Sequence, residues 1–279
     1  MRYILETFLS LNLEQKKEAN ILHITDTHLF AESGATLLGV DTNASFRAVL
    51  DEIKQRNTDF DLIVATGDFV QDSSQKAYEY FAQDIATLNK PCVYIPGNHD
   101  VLPLMNDVFN AQGLCSEKVI LMGEHWLIIL LNTHVAGAAY GRLSSDELAF
   151  LSSTLSLYPQ RQALIFLHHH PIFSGCKWLD HHCLKNSNEL EDIIKSHQNV
   201  KAIGCGHIHQ LIEQQWLNTL TFSTPSTCVQ FKPSSDNFCL SNQAPGWRMI
   251  KLKANGDLST NVDRLACHLF LPDMSQNGY

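Results

Sequence analysis

Histidine, aspartate and asparagine recur along this chain at short spacings that suit metal coordination. Asp26-x-His28, Gly67-Asp68, Gly97-Asn98-His99-Asp100, His168-His169-His170-Pro171 and Gly206-His207-x-His209 form an ordered series. Alternate side chains of an extended segment share a face, so Asp26 and His28 would point together, as would His207 and His209. Consecutive histidines after an apolar run sit poorly in a core unless partners satisfy them. Taken singly, Asp26-x-His28 reads equally well as a surface turn, and the Gly-Asp and Gly-Asn-His-Asp segments are ordinary turn formers. Their joint occurrence, each behind an apolar run, points to one shared centre. Carboxylate and amide oxygens mixed with imidazole nitrogens suit Zn, Mn or Fe and match Ca or Mg cages poorly.

The elements that must position these residues are legible as well. Short apolar runs at 21–25, 62–65, 92–95, 163–167 and 200–203 read as strands, and each delivers one of the polar segments at its carboxyl end. Ligands of open α/β sheets sit outside such ends. Between the runs, helical spacing predicts helices over 43–56, with Asn43 as cap and Phe46, Val49, Leu50 and Ile53 inward, over 75–88, over 144–157 with Ser144 or Ser145 as cap, and over 189–197. A hairpin is expected from 118–122 and 126–131. Later strands are expected at 211–216, 220–223, 247–253 and 258–263, with Asn255-Gly256 a type I′ turn signal. This order predicts an α/β fold: a four-layer α/β/β/α sandwich in which two mixed sheets pack face to face with helices outside each. Residues 1–19 read as an N-terminal arm and 20–279 as a single domain, because no linker composition divides them.

Composition narrows the partners. A net charge of −9 argues against a nucleic-acid polymer, whose binding draws on clustered Lys and Arg. The 8 cysteines are scattered without a C-x-x-C pair and read as reduced core thiols. The first residues lack the continuous apolar segment of a signal peptide, and no stretch approaches the ~20 apolar residues of a membrane span. These features predict a soluble cytoplasmic protein with no membrane partner.

The ordered series resembles the signature of the calcineurin-like metallophosphoesterases. Four further segments resemble the bacterial class III 3',5'-cyclic-nucleotide phosphodiesterases. These are Tyr94-Ile95-Pro96-Gly97-Asn98-His99-Asp100, Cys205-Gly206-His207-Ile208-His209-Gln210, Thr224-Pro225-Ser226-Thr227-Cys228-Val229-Gln230-Phe231-Lys232-Pro233 and Ala244-Pro245-Gly246-Trp247-Arg248. The resemblance runs from about residue 20 to the C-terminus. It implies two divalent or mixed-valence transition metal ions (Fe, Mn or Zn). Asp26, His28 and His209 would hold one, Asn98, His207 and one histidine of the triplet the other, with Asp68 bridging. The family's H-x-P spacing selects His169, and His168 is the alternative. By the same resemblance His99 contacts phosphate and protonates the leaving oxygen, Asp100 orients its ring, and His28, Asp68, Asn98, His99 and His209 face the substrate. Asp100 also reads as an N-cap for a helix starting at Val101.

The implied reaction is hydrolysis of the small phosphodiester 3',5'-cyclic AMP to 5'-AMP by a hydroxide bridging the metals. The ligand set specifies phosphate chemistry and not the leaving group, so a 2',3'-cyclic nucleotide, a glycerophosphodiester or a phosphomonoester stays open. A nuclease would need a basic groove that the acidic balance disfavours. A non-enzymatic binding scaffold of the same fold would have lost ligands that this sequence keeps. Segments 173–182 and 224–231 are expected to overhang the centre. There Trp178 or Phe231 would either stack on a purine or pack internally, and His181 and His182 read as solvent-exposed or lid residues.

Overall fold

The structure is a computed structural model describing residues 8–278 except 14, 15, 17 and 267. Residues 1–7 of the expected arm, with 14, 15 and 17, therefore lie outside the described residues. In chain order the strands are β1 (Leu9–Leu11), β2 (Glu18–Ile24), β3 (Thr36–Leu37), β4 (Val40–Asp41), β5 (Leu62–Ala65), β6 (Cys92–Tyr94), β7 (Val119–Met122) and β8 (Trp126–Leu130). They continue as β9 (Gln162–Phe166), β10 (Val200–Cys205), β11 (Ile212–Trp216), β12 (Thr219–Ser223), β13 (Gln230–Phe231), β14 (Leu240–Ser241), β15 (Gly246–Lys253) and β16 (Leu258–Arg264). The helices are α1 (Thr42–Gln55), α2 (Gln75–Ala86), α3 (Leu102–Ala111), α4 (Ser145–Leu157), α5 (Lys177–Asp180) and α6 (Ser187–Ser196).

Two mixed sheets result, a seven-stranded one ordered β1-β7-β8-β9-β10-β12-β11 and a five-stranded one ordered β16-β15-β2-β5-β6. Within the smaller sheet β2, β5 and β6 run parallel, and within the larger β8, β9 and β10 do. Ile21, Val64, Val93, Ile128, Leu164 and Phe222 fill the space between the sheets. The outer face of the five-stranded sheet is covered by α1 to α3 through Phe46, Phe81 and Phe109, and that of the other by α4 and α6 through Leu151, Leu155 and Leu190. The layers are thus α/β/β/α as expected. Each fully buried Val, Leu, Ile or Phe contributes roughly 1.5–3 kcal/mol relative to exposure, and the strands β5, β6 and β8, covered on both faces, are buried throughout.

Local chemistry departs from the sequence reading in a few places. Asp41, not Asn43, caps α1, accepting from the Ala44 N–H at 2.9 Å. Asn43 already lies inside the helix, where its amide brackets Phe30, accepting from its N–H and donating to its C=O. The β15–β16 connection spans 254–257, and Gly256 alone takes positive φ (89°), so it is not the two-residue I′ turn. Residues 9–11 of the arm add β1 to the edge of the larger sheet, parallel to β7. Among the described residues seven cysteines are free, Cys92, Cys176, Cys183, Cys205 and Cys228 buried and Cys115 and Cys239 half-buried. No helix among the described residues is long and apolar enough to cross a membrane.

Candidate metal centre

The parallel strands of both sheets end at one edge. Asp26 and His28 follow β2, Asp68 follows β5, Asn98, His99 and Asp100 follow β6, His168 and His169 follow β9, and His207 and His209 follow β10. The chain turns sharply at these points. Asp26, His28, Asp68, His207 and His209 adopt left-handed φ values of 54°, 47°, 51°, 68° and 48°. Such a conformation costs an L-residue roughly 1–2 kcal/mol, so the surroundings must enforce it. Cross-links between strand ends do so. The Asp26 N–H donates to the Gly67 C=O at 3.0 Å and the His28 N–H to the Asp68 C=O at 2.9 Å. The His207 N–H donates to Asp26 Oδ2 at 3.0 Å, joining the two sheets. Two glycines permit the approach: a Cβ on Gly97 would lie 2.1 Å from Asp68 Oδ1, and one on Gly206 2.0 Å from Thr25 Oγ1.

Four imidazoles are anchored through Nδ1. His28 meets Gln71 Oε1 at 2.8 Å, His209 the Val229 C=O at 2.9 Å, His168 the Thr66 C=O at 2.6 Å and His169 Thr133 Oγ1 at 2.7 Å. A backbone carbonyl only accepts, so Nδ1 of His209 and His168 carries a proton and Nε2 of each is turned into the cluster, that of neutral His209 presenting a lone pair. With Gln71 Oε1 as acceptor, His28 does the same. Yet Nε2 of His28 lies 3.2 Å from Nε2 of His209, and Nε2 of His168 lies 3.2 Å from Asn98 Oδ1 and 3.3 Å from Asp68 Oδ2. His209 Nε2 is also 3.4 Å from Asp26 Oδ1. His28 and His209 therefore face each other lone pair to lone pair, an arrangement that is repulsive unless a cation lies between them. Nε2 of His169 and of His207 are buried without a hydrogen-bond partner among the described residues. Potential ligand atoms of Asp26, His28 and His209, and of Asp26, Asp68 and His168, lie within 4.8 Å of one another, as do those of His168, His169 and His207. The residues fit a metal centre.

The charges agree. Burial pushes the His28 ring down to about 3, and burial holds His169 and His207 well below their ordinary value, so all three rings are neutral. Burial alone would raise the Asp26 and Asp68 carboxyls; His209 beside the first and His168 beside the second hold both below the usual carboxylate range. Burial also pushes the His168 ring down, but Asp68 outweighs it and lifts the ring to about 9. In the metal-free protein a proton on His168 thus balances Asp68.

His99 lies partly exposed beside this cluster, its N–H tied to Asp68 Oδ1 at 2.8 Å and its ring edge-on to His28 at 4.9 Å. The Asp100 carboxylate accepts from the N–H groups of Asp68 (2.8 Å), Phe69 (3.1 Å) and Gly97 (2.8 Å) and from the Tyr78 hydroxyl (3.1 Å). Those donors tie it to the β5 and β6 turns. Nor does Asp100 cap α3, whose N-cap is Val101 without a side-chain bond. Burial and then the Asp68 charge push its carboxyl up to about 7.

Phe231 is buried and stacks on His209 at 4.6 Å, and half-buried Trp178 packs edge-on against it. His182 is half-buried with its ring 6.4 Å from that of His207, whereas His181 is exposed. His170 stacks on His207 at 5.7 Å and meets Asp180 Oδ1 at 3.2 Å. Gln71, Thr66, Thr133 and His134 were not among the sequence candidates. Thr133 and His134 follow β8, and the strand-end rule applied there finds both; His134 is close enough to feel the Asp68 charge.

A family profile described as calcineurin-like phosphoesterase matches residues 19–211. The Escherichia coli (strain K12) protein 3',5'-cyclic adenosine monophosphate phosphodiesterase CpdA is 46% identical over 275 residues, covering 99% of this chain and 100% of the relative. The CpdA protein of Haemophilus influenzae is 44% identical over 265 residues, 95% of this chain and 97% of its own. Among solved structures, a dimetal phosphatase from Danio rerio matches with a TM-score of 0.59 at 14% identity, covering 89% of this chain and 99% of that one, a likeness of fold.

Proposed function

Because this chain belongs to the calcineurin-like phosphoesterase family, we propose that it hydrolyses 3',5'-cyclic AMP to 5'-AMP at two metal ions held in the strand-end cluster. The chemistry rests on one observation, the convergence of imidazole Nε2 atoms, carboxylates and an amide oxygen in one buried cluster, with Nε2 of His28 and His209 only 3.2 Å apart. The substrate rests on relatives of near-full coverage that carry this activity in their names.

Asp26, His28 and His209 form one half of the centre. Asn98, His168 and His207 form the other, and Asp68 lies between, 3.3 Å from His168 Nε2 and 3.8 Å from His28 Nε2. His168 is preferred to His169 as ligand because its Nε2 meets Asp68 and Asn98, while the His169 ring meets imidazoles and packs against Gly141. Oxygen and imidazole donors together favour Mn, Fe or Zn. When bound, two such ions lower the pKa of water toward neutrality and neutralise the phosphodiester oxygens.

The residues do the rest. Buried Asp26 and Asp68, held as carboxylates, keep the pocket attractive to cations. The attacking water gives up a proton to solvent, its oxygen bonds to phosphorus in line with O3′, the P–O3′ bond breaks, and O3′ takes up a proton. His99 supplies it, from the half-exposed side where His28, Asp68, Asn98 and His209 also face the diester. Asp100 is a positioning residue, holding the backbone of Asp68 and Gly97 through three N–H groups. A small diester suits a chain of net charge −9 better than a nucleic-acid polymer, and the free thiols suit the cytoplasm.

Hydrolysis of 3',5'-cyclic AMP by Mn2+-loaded protein, followed by separation of 5'-AMP from 3'-AMP, tests this reading. 2',3'-cyclic AMP, glycerophosphocholine and bis(p-nitrophenyl) phosphate run in parallel with an Asp68→Ala control. Formation of 5'-AMP that vanishes in the control is expected; turnover of the generic diester without 3',5'-cyclic AMP would sink the substrate assignment and keep the chemistry.

A further inference from the structure

The geometry points to Gln71 as the positioning residue that sets how tightly the Asp26–His28–His209 half of the centre binds its metal, an inference that rests on the metal reading above. Three of the four anchored imidazoles lean on groups of limited freedom, the backbone carbonyls of Val229 and Thr66 and the short Thr133 side chain. His28 instead leans on a long neutral side chain, the Gln71 amide at 2.8 Å. That amide is held in register. The Gln71 N–H donates to the Leu29 C=O at 2.9 Å, and Leu29 bridges Val70, so the segment behind Asp68 is pinned to the segment carrying His28.

An acceptor on the far nitrogen of a metal-binding imidazole fixes its tautomer and raises its basicity, and losing it typically weakens metal binding about 10–100-fold. A carboxylate in that place does this more strongly than an amide. Gln71 therefore leaves His28 a weaker donor than Glu would, and it is half-buried, where a carboxylate is tolerated. The orientation matters. With Oε1 toward His28, the ring proton sits on Nδ1 and the imidazole Nε2 turns its lone pair into the cluster; turned round, the amide would donate to Nδ1 and leave a proton on the imidazole Nε2, facing His209. Glu only accepts, so it separates the two arrangements.

The test is calorimetric titration of chelator-stripped full-length protein with Mn2+, comparing wild type, Gln71→Leu and Gln71→Glu, with melting curves of the stripped proteins beside them. Two binding steps are expected in wild type. In Gln71→Leu one step weakens about tenfold or more while the other holds, and saturating Mn2+ restores turnover of bis(p-nitrophenyl) phosphate; in Gln71→Glu the same step equals or exceeds wild type. A Leu variant that titrates as wild type does overturns the proposal while leaving the metal centre intact. So does a Glu variant as weak as the Leu one. If the stripped Leu variant does not fold, the near-isosteric Glu variant decides alone, tighter binding supporting the proposal and weaker binding overturning it. Fewer than two Mn2+ per wild-type chain overturns the metal reading and this inference with it.

Discussion

His23 offers a quantitative check on the buried polar layer behind the metal centre. The imidazole is fully buried on β2, between Thr66 Oγ1 at 2.8 Å and Thr224 Oγ1 at 2.7 Å. Burial, then the nearby buried Arg248 guanidinium, push its pKa from 6.5 down to about 3. Below pH 6.5 the unfolded chain binds a proton on His23 that the folded chain refuses, so the folded state loses stability as pH falls toward 3. One unit corresponds to about 1.4 kcal/mol, so roughly 2.7 kcal/mol is lost between pH 7.5 and pH 4.5 from this residue. Urea unfolding of wild type and His23→Gln at both pH values, with chelator present, isolates it, since the other titrating groups are shared. The glutamine variant is expected to be the less stable at pH 7.5, having lost well-placed bonds to two hydroxyls, and the gap should narrow by about 2–3 kcal/mol at pH 4.5. A gap that does not change with pH would refute the assignment of His23 as a neutral buried group.

Three more outcomes follow from the same geometry. Because Asp68 lifts His168 to about 9, metal loading near pH 7.5 must expel that proton, and calorimetry in two buffers of different ionisation enthalpy should read about one proton released per chain. Gly97→Ala places a Cβ 2.1 Å from Asp68 Oδ1 and should cost about 1–3 kcal/mol in urea unfolding together with a large loss of metal content measured by elemental analysis; wild-type values for both would show that the turn relaxes freely. His99→Ala should lower turnover of 3',5'-cyclic AMP about 10²–10⁴-fold while sparing bis(p-nitrophenyl) phosphate, whose leaving group needs no proton, and an equal loss on both would remove His99 as the acid.

Much of this site could be read before any coordinates, because each strand announces its carboxyl end with a polar residue after an apolar run. Asp26, Asp68, Asn98 and His207 are found that way, and the two glycines beside Asp68 and Thr25 are visible as Gly97 and Gly206. The choice within the histidine triplet is not, since it depends on which ring turns toward Asp68 across the gap between sheets, and the H-x-P spacing favoured His169 where the distances favour His168. Gln71 and Thr66 escaped for a related reason: their role is to touch an imidazole from another strand, which leaves no local pattern. β1 escaped too, because three residues paired to Ile120 and its neighbours carry no periodicity of their own. Asp100 is legible behind the site, but the N–H groups its carboxylate gathers come from two turns and leave no local pattern.

Asp26, His28, Asp68 and Asn98 belong to the five-stranded sheet, and His168, His207 and His209 to the seven-stranded one. Behind that edge the join between the sheets is largely apolar, with few directional bonds such as His23 to Thr224 to fix its register. Ions held by ligands from both sides would act there as rivets, converting a greasy contact into one with a defined register. Loss of metal should then show first as relative motion of the two sheets, seen as faster amide exchange at the ends of β2, β5, β9 and β10, well before the helices on either flank begin to melt.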